Sequence, residues 1–321
     1  MAGQATWEQA ALHEGANAGS SLRADVVAAI DDLELAARFV VEGLRTGGNR
    51  SPFHGFSSEF RQHRAYRAGD DLKYLDWKLF ARSGRLFTRQ FRESTNLPLM
   101  LVLDTSASMR VGAAGEAKFR YAQVVAAALV HVACDQGNAV GIMTLQQDDL
   151  RYIAARGGVP HRRALIAEID RLRPEGRWDP GRAIDRSSQL LGRRGMLIVI
   201  SDFYDDEPGT WQALRRAVRH GHDATVLQLM TPSELDLRTT GAAELVDAES
   251  GARVAFGADV AAEYARTVSA FVEGVRRQAT AEGIDSALML TSTPPAAALR
   301  SWLHRRGGTR VVDHPHRPLS R

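Results

Sequence analysis

The stretch LPLMLVLDTSASM, Leu97 to Met109, decides the fold. A short, unbroken apolar run bounded by small polar residues reads as a strand buried on both faces. Such a strand needs helices above and below its sheet, and here it surfaces at Asp104. The chain around it supplies those partners. Lys118 to Cys134 is helical and apolar nearly all round, so that helix is buried too. AVGIMTL (Ala139–Leu145) and LRYIAA (Leu150–Ala155) flank QQDD and predict a hairpin. Helices are expected over about 160–172 and 180–191, the second with Asp179 as N-cap and Pro180 at its first position. MLIVIS (Met196–Ser201), ATVLQLM (Ala224–Met230) and SALMLT (Ser286–Thr291) are three more strands separated by helices. This alternation predicts an α/β domain with a mostly parallel sheet covered on both faces, over residues 96–321.

Two further segments precede it. Residues 1–48 form a polar tail and a helix that begins at Ser21, where Val26, Ile30, Leu33, Ala37, Val40 and Leu44 share one face and Gly47-Gly48 ends the run. Residues 49–95 form a small β-rich lobe. Nine of the 22 aromatic residues fall between Phe53 and Phe91, with nine Lys or Arg interleaved from Arg61 to Arg92. RLFTRQF (Arg85–Phe91) reads as a strand and AGDD (Ala68–Asp71) as a turn.

Composition bounds the function. The chain has 321 residues, 44% hydrophobic and 25% charged, ordinary values for a folded protein. Its formal charge is +3, with a sequence pI of about 9.2, so any nucleic-acid contact must come from a local basic surface. The one cysteine, Cys134, sits in an apolar helix and fits a reducing compartment. No apolar stretch reaches the about 18 residues that a membrane span requires, and the N-terminus lacks a secretory pattern. Cytoplasmic localisation follows as the default.

In open α/β sheets, ligands gather beyond the carboxyl ends of the strands. Two buried strands end in acid there, at Asp104 and at Asp202. Asp104, Ser106 and Ser108 are spaced so that three oxygens can converge on one hard cation, and Mg²⁺ suits such a set. The same residues also satisfy turn and helix-start amides in many loops, so spacing alone leaves both readings open. An aspartate nucleophile of the haloacid dehalogenase type needs a second acid two residues on, where this chain has Ser106, a poor proton donor. No Gly-rich phosphate loop with a lysine, GxSxG elbow or His-Glu-x-x-His pair occurs. Catalysis, including a metal-dependent hydrolase, has little support, and no small-molecule substrate is expected.

The segments EFRQHRAYRAGDDLKYLDWKLFARSGRLFTRQF (Glu59–Phe91), LVLDTSASM, MLIVISDF and ELVDAESG together resemble the bacterial family called "domain of unknown function fifty-eight", over nearly everything after residue 45. The resemblance implies a Rossmann-like von Willebrand factor A domain with a metal-ion-dependent adhesion site. In that site Asp104, Ser106 and Ser108 would act with Asp202 and with a threonine from a second loop. Where the threonine is expected, near EGRWDPGRA, this chain has Trp178, and indole cannot replace a hydroxyl ligand. The site is therefore partly degenerate. The resemblance further implies a non-enzymatic adaptor that works with a MoxR-type AAA+ ATPase on client proteins. The alternative is a nucleic-acid-associated module that uses the basic, aromatic lobe. Against it, acids are interspersed, and Arg67, Asp70, Asp76 and Trp77 are expected to knit the lobe to the sheet instead. His131 is expected to be structural, Met109 to pack beneath the loop, and His314 and His316 to lie in a loose tail.

Overall fold

The computed structural model describes residues 30–46, 60–65, 76–91, 97–111, 117–146, 149–177, 179–192, 194–204, 208–236, 244–246, 253–255 and 258–309. In chain order the strands of the main sheet are β3 (Leu99–Leu103), β4 (Val140–Gln146), β5 (Asp149–Arg156), β6 (Met196–Ser201), β7 (Asp223–Met230) and β10 (Asp285–Leu290). Their spatial order is β10-β7-β6-β3-β4-β5, parallel throughout except for the β4–β5 hairpin at one edge. The chain winds outward from β3 in one direction, then returns and winds outward from β6 in the other. This is the doubly wound, Rossmann-like order of a von Willebrand factor A domain, with its switch point between β3 and β6.

The side-chain period of two divides β3 and β6 between two cores. Leu99, Leu101, Leu103, Met196, Ile198 and Ile200 face one core. Met100, Val102, Leu197 and Val199 face the other. The first core is closed by α3 (Ala117–Asp135), α4 (Val159–Arg171) and α9 (Pro295–Thr309). The second is closed by α5 (Pro180–Leu191), α6 (Pro208–Arg219) and α8 (Ala258–Ala281). Every strand and helix expected after Leu97 is present, and Asp179 caps α5 by accepting from the Arg182 amide.

The N-terminal helix differs in extent from the sequence expectation. α1 spans Leu33–Thr46, and Asp32 accepts from the Leu35 amide at 3.1 Å, so the helix starts twelve residues after Ser21. Asp31 and Asp32 interrupt any run through Ile30, because an aspartate bonding its own downstream amide favours a cap over a helix interior. Ser21 and Val26 lie outside the described residues. α1 does not stand apart: Leu33, Ala36, Ala37, Val40, Val41 and Leu44 join the first core. Arg120 donates to the carbonyls of Ile30 and Asp31, and Arg300 to that of Gly43.

In the aromatic segment, β1 (Phe60–Ala65) pairs antiparallel with β2 (Phe87–Phe91), as RLFTRQF predicted. Between them lies α2 (Trp77–Ser83), capped by Asp76 and ended by Gly84 in the left-handed region. Trp77 is 60% exposed and meets Phe80 edge to face, so it is no buried anchor between lobe and sheet. Asp76 is occupied by its cap. Arg67, Asp70 and the AGDD turn lie outside the described residues. A small antiparallel pair, β8 (Glu244–Val246) and β9 (Arg253–Ala255), precedes α8. No helix among the described residues is long and apolar enough to cross a membrane.

Candidate functional site

The register fixes the site. Leu103 pairs with Ile200, and the Asp104 amide donates to the Ile200 carbonyl at 3.0 Å, so Asp104 leaves β3 directly beside Ser201. Ser201 Oγ donates to Asp104 Oδ2 at 2.5 Å and accepts from the Phe203 amide at 2.9 Å. The other carboxylate oxygen, Oδ1, accepts from the Ser106 amide at 2.8 Å. Both Asp104 carboxylate oxygens are thus held by the protein: one closes the loop, the other is clamped by the neighbouring strand.

Ser106 Oγ and Ser108 Oγ lie 2.8 Å apart. That is the length of an ordinary O–H···O hydrogen bond between the two hydroxyls, and it is also close to the about 2.9 Å between adjacent vertices of an octahedron with ligands at about 2.0–2.1 Å. Asp104 and Ser106 are buried, while Ser108 is half-buried. Burial, followed by the charge of Asp202, pushes the Asp104 carboxyl up to about 7. A carboxylate that resists ionisation for want of a counter-charge is one that a cation would stabilise.

The second loop is stitched to the first. The Glu175 amide donates to the Thr105 carbonyl at 2.7 Å, the Ala107 amide to the Gly176 carbonyl at 3.0 Å, and Arg110 to the Pro174 carbonyl at 2.6 Å. Thr105 itself is turned inward and donates to the Leu145 carbonyl, so it supplies no outward hydroxyl. Trp178, which stands where the threonine was expected, lies outside the described residues. Asp179 is committed to its cap. Met109 is fully buried beneath the loop, as expected.

Asp202 continues the rim from β6, but its partners are not those of a simple metal ligand. Its Oδ2 accepts from Lys118 Nζ at 2.6 Å and its Oδ1 from the Tyr204 amide at 3.1 Å. The same ammonium donates to Glu234 Oε1 at 2.7 Å and to the Ser108 carbonyl at 3.4 Å, and it lies 5.0 Å from the centre of the Tyr204 ring. Glu234 belongs to a capping box on α7 (Pro232–Leu235): Thr231 Oγ1 accepts from the Glu234 amide, and Glu234 Oε2 accepts from the Thr231 amide at 2.7 Å. Three neighbouring parallel strands therefore deliver Asp104, Asp202 and Glu234 to one rim. The backbone just after Asp202 is strained. Phe203, with φ of 62°, is in the left-handed region that a phenylalanine rarely enters, and its ring stacks on Trp211.

The donor set fits an oxygen-seeking cation at Asp104, Ser106 and Ser108. It fits less well at Asp202, which already holds an ammonium. Among the described residues no three or more His, Cys, Asp or Glu side chains group to hold a metal, so a cation here would rely on hydroxyls and water for most of its shell. Sequence reading placed Asp104, Ser106, Ser108 and Asp202, and all four are on this rim. It missed Lys118 and Glu234. The signals were present: a lysine opening an otherwise apolar helix, and Thr-Pro-Ser-Glu directly after a buried strand, the pattern of a capping box.

His131 is buried in α3, but the hydrogen bond expected of a structural histidine is not made: Nδ1 lies 3.5 Å from Asp135, and neither ring nitrogen has a hydrogen-bond partner among the described residues. Its ring is held below the usual histidine range by burial and then by Arg162. His314 and His316 lie outside the described residues.

Residues 62–280 match the family described as "Protein of unknown function DUF58". An uncharacterized protein of Mycobacterium tuberculosis H37Rv, Rv1480, is 31% identical over 294 residues, covering 88% of this chain and 90% of that one. The Mycobacterium bovis protein Mb1516 matches to the same extent. Among solved structures, the conserved hypothetical protein BatB of Bacteroides thetaiotaomicron has a TM-score of 0.42 at 16% identity, covering 66% of this chain and 98% of that one. A von Willebrand factor type A structure from Catenulispora acidiphila has a TM-score of 0.34 at 15% identity, covering 43% of this chain and 34% of that one. The fold assignment rests on the strand order above, and the matched residues settle the kinship: this chain belongs to the DUF58 family.

Proposed function

We propose that this protein is a non-enzymatic, protein-binding adaptor that docks its partner at the rim around Asp104, through a partly degenerate metal-ion-dependent adhesion site. One observation carries the reading: a buried aspartate and two hydroxyls 2.8 Å apart, all on the loop after β3, with Ser108 only partly buried. Mg²⁺ held by Asp104, Ser106 and Ser108 would present a vacant vertex to a partner's carboxylate. Asp202 would contribute from across the switch point, through its field more than by direct ligation. The partner follows from the family resemblance: a MoxR-type AAA+ ATPase in the cytoplasm, with this chain joining it to a client protein in assembly, remodelling or metal loading.

The position two residues after Asp104 is a serine whose hydroxyl is hydrogen-bonded to that of Ser108, which supports a binding rather than a catalytic reading. The test is capture of a MoxR-type ATPase, and of its client, by immobilised wild type and Asp104→Ala in Mg²⁺. Capture falling at least about tenfold, with circular dichroism unchanged, is the expected result. Equal capture by the variant overturns the proposal.

A further inference from the structure

The part of the rim that supplies no ligand to the proposed docking site is the cluster around Lys118. Lys118 is the second residue of α3, and its side chain is completely buried. Both facts run against physical preference. A cation in the first turn of a helix opposes the helix dipole, and a buried ammonium is costly unless oxygens replace its water. Here they do. Its three protons point at Asp202 Oδ2, Glu234 Oε1 and the Ser108 carbonyl, at 2.6, 2.7 and 3.4 Å. The remaining carboxylate oxygens are taken in turn, Asp202 Oδ1 by the Tyr204 amide and Glu234 Oε2 by the Thr231 amide and hydroxyl. The Tyr204 ring covers the ammonium from one side, and Phe271 of α8 stacks on Tyr204 with centroids 5.5 Å apart. This is an oxygen-coordinated cation in a closed box, supplied by the chain itself.

We propose that Lys118 is the resident cation of the rim: its ammonium takes the place of a divalent ion at the Asp202–Glu234 carboxylate pair and keeps metal off that side. Asp202 is thereby a ligand of Lys118 rather than of Mg²⁺. Any divalent ion at the Ser106–Ser108 hydroxyls is held beside a fixed positive charge that weakens it. The inference goes beyond the docking reading, and partner capture is not among its readouts.

The experiment is calorimetric titration of Mg²⁺ and Mn²⁺ into wild type, Lys118→Met and Lys118→Met/Asp202→Asn, each first stripped with chelator, with melting temperatures recorded in chelator and in excess Mg²⁺. Methionine keeps the unbranched stem and removes the charge. The expected result is a Lys118→Met protein with a lowered melting temperature in chelator, raised by Mg²⁺ more than wild type is. It should bind Mn²⁺ at least about tenfold more tightly than wild type, a gain that Asp202→Asn abolishes. Unchanged or weaker metal binding by Lys118→Met overturns the proposal. If Lys118→Met does not fold in chelator, Lys118→Met/Asp202→Asn/Glu234→Gln is compared with it. Recovery of folding on neutralising the two acids supports the resident-cation role, and continued failure refutes it. A failed docking reading would show instead as unaltered partner capture by Asp104→Ala, whatever the metal titrations give.

Discussion

Ser201 Oγ and Asp104 Oδ2 are 2.5 Å apart, joined across the ends of two adjacent parallel strands. The same hydroxyl accepts from the Phe203 amide, so one serine holds the site carboxylate and the strained turn that follows β6. Replacing Ser201 by alanine leaves a buried carboxylate oxygen and a buried amide each short of a partner. The expected cost is about 1–3 kcal/mol, read as a lower urea midpoint at unchanged slope. A midpoint equal to that of wild type would mean that water takes over both bonds.

Asp104 should give the protein a characteristic pH response. Its carboxyl is raised from 3.8 to about 7 by burial and then by Asp202. Below the lower value the folded and unfolded chains both carry the proton. Between the two values the folded chain keeps a proton that the unfolded chain has lost, so this group's contribution to stability is lost as pH rises toward about 7. In chelator, the difference in unfolding free energy between wild type and Asp104→Asn should drift against wild type across that window. Under the proposed function, Mg²⁺ bound at Asp104 would have to displace the same proton, so its affinity should climb by up to about tenfold per pH unit and level off above about 7. A Mg²⁺ affinity independent of pH in this range would show that Asp104 does not take part.

How far was this readable from the residues alone? The sheet was legible because β3 and β6 are unbroken apolar runs, each followed by an aspartate, and because Asp179-Pro180 marks a helix start without ambiguity. Asp104, Ser106 and Ser108 are local, within five residues of one another. The Lys118 cluster is not local: its two acids lie 84 and 116 residues away in sequence, and only the parallel packing of β3, β6 and β7 brings them together. Local pattern describes a strand or a cap, but it does not carry the register between strands. The turn at Phe203 was invisible for another reason, since nothing in a phenylalanine announces positive φ. The start of α1 was misjudged because a helical spacing of apolar residues continues through Ile30, while Asp32 caps and so redirects the backbone.

The exposed aromatic segment gives a prediction of small effect. Trp77 is 60% exposed and touches Phe80 at its edge. Trp77→Ala should change unfolding free energy by no more than about 0.5 kcal/mol, the ordinary range for a surface substitution. A loss several times larger, in thermal or chemical denaturation, would restore the tryptophan as a structural anchor between lobe and sheet.

The β4–β5 edge of the main sheet predicts a large effect from a single methyl group. A Cβ on Gly141 of β4 would stand 2.7 Å from the Ile153 carbonyl and 2.8 Å from the Ala155 amide, both backbone atoms of β5. The β4–β5 register is already irregular between Val140 and Ile142, so the hairpin has its close approach there. Gly141→Ala is expected to cost about 1–3 kcal/mol through displacement of the edge strand, measured by chemical denaturation.

Helix α3 lies between the sheet and a second helical shell, since α1 packs across the face that α3 turns away from the strands. An element enclosed on both sides lies at the high end of the range of local opening free energies. Lys118 is mounted on that element, whereas Ser106 and Ser108 are carried by a loop and a single turn of 3₁₀ helix, Ala107–Arg110. The two halves of the rim therefore belong to different levels of the protein's free-energy scale. Local fluctuation can rearrange the hydroxyls of Ser106 and Ser108, but the Lys118 charge behind them is carried by the packed core of the fold.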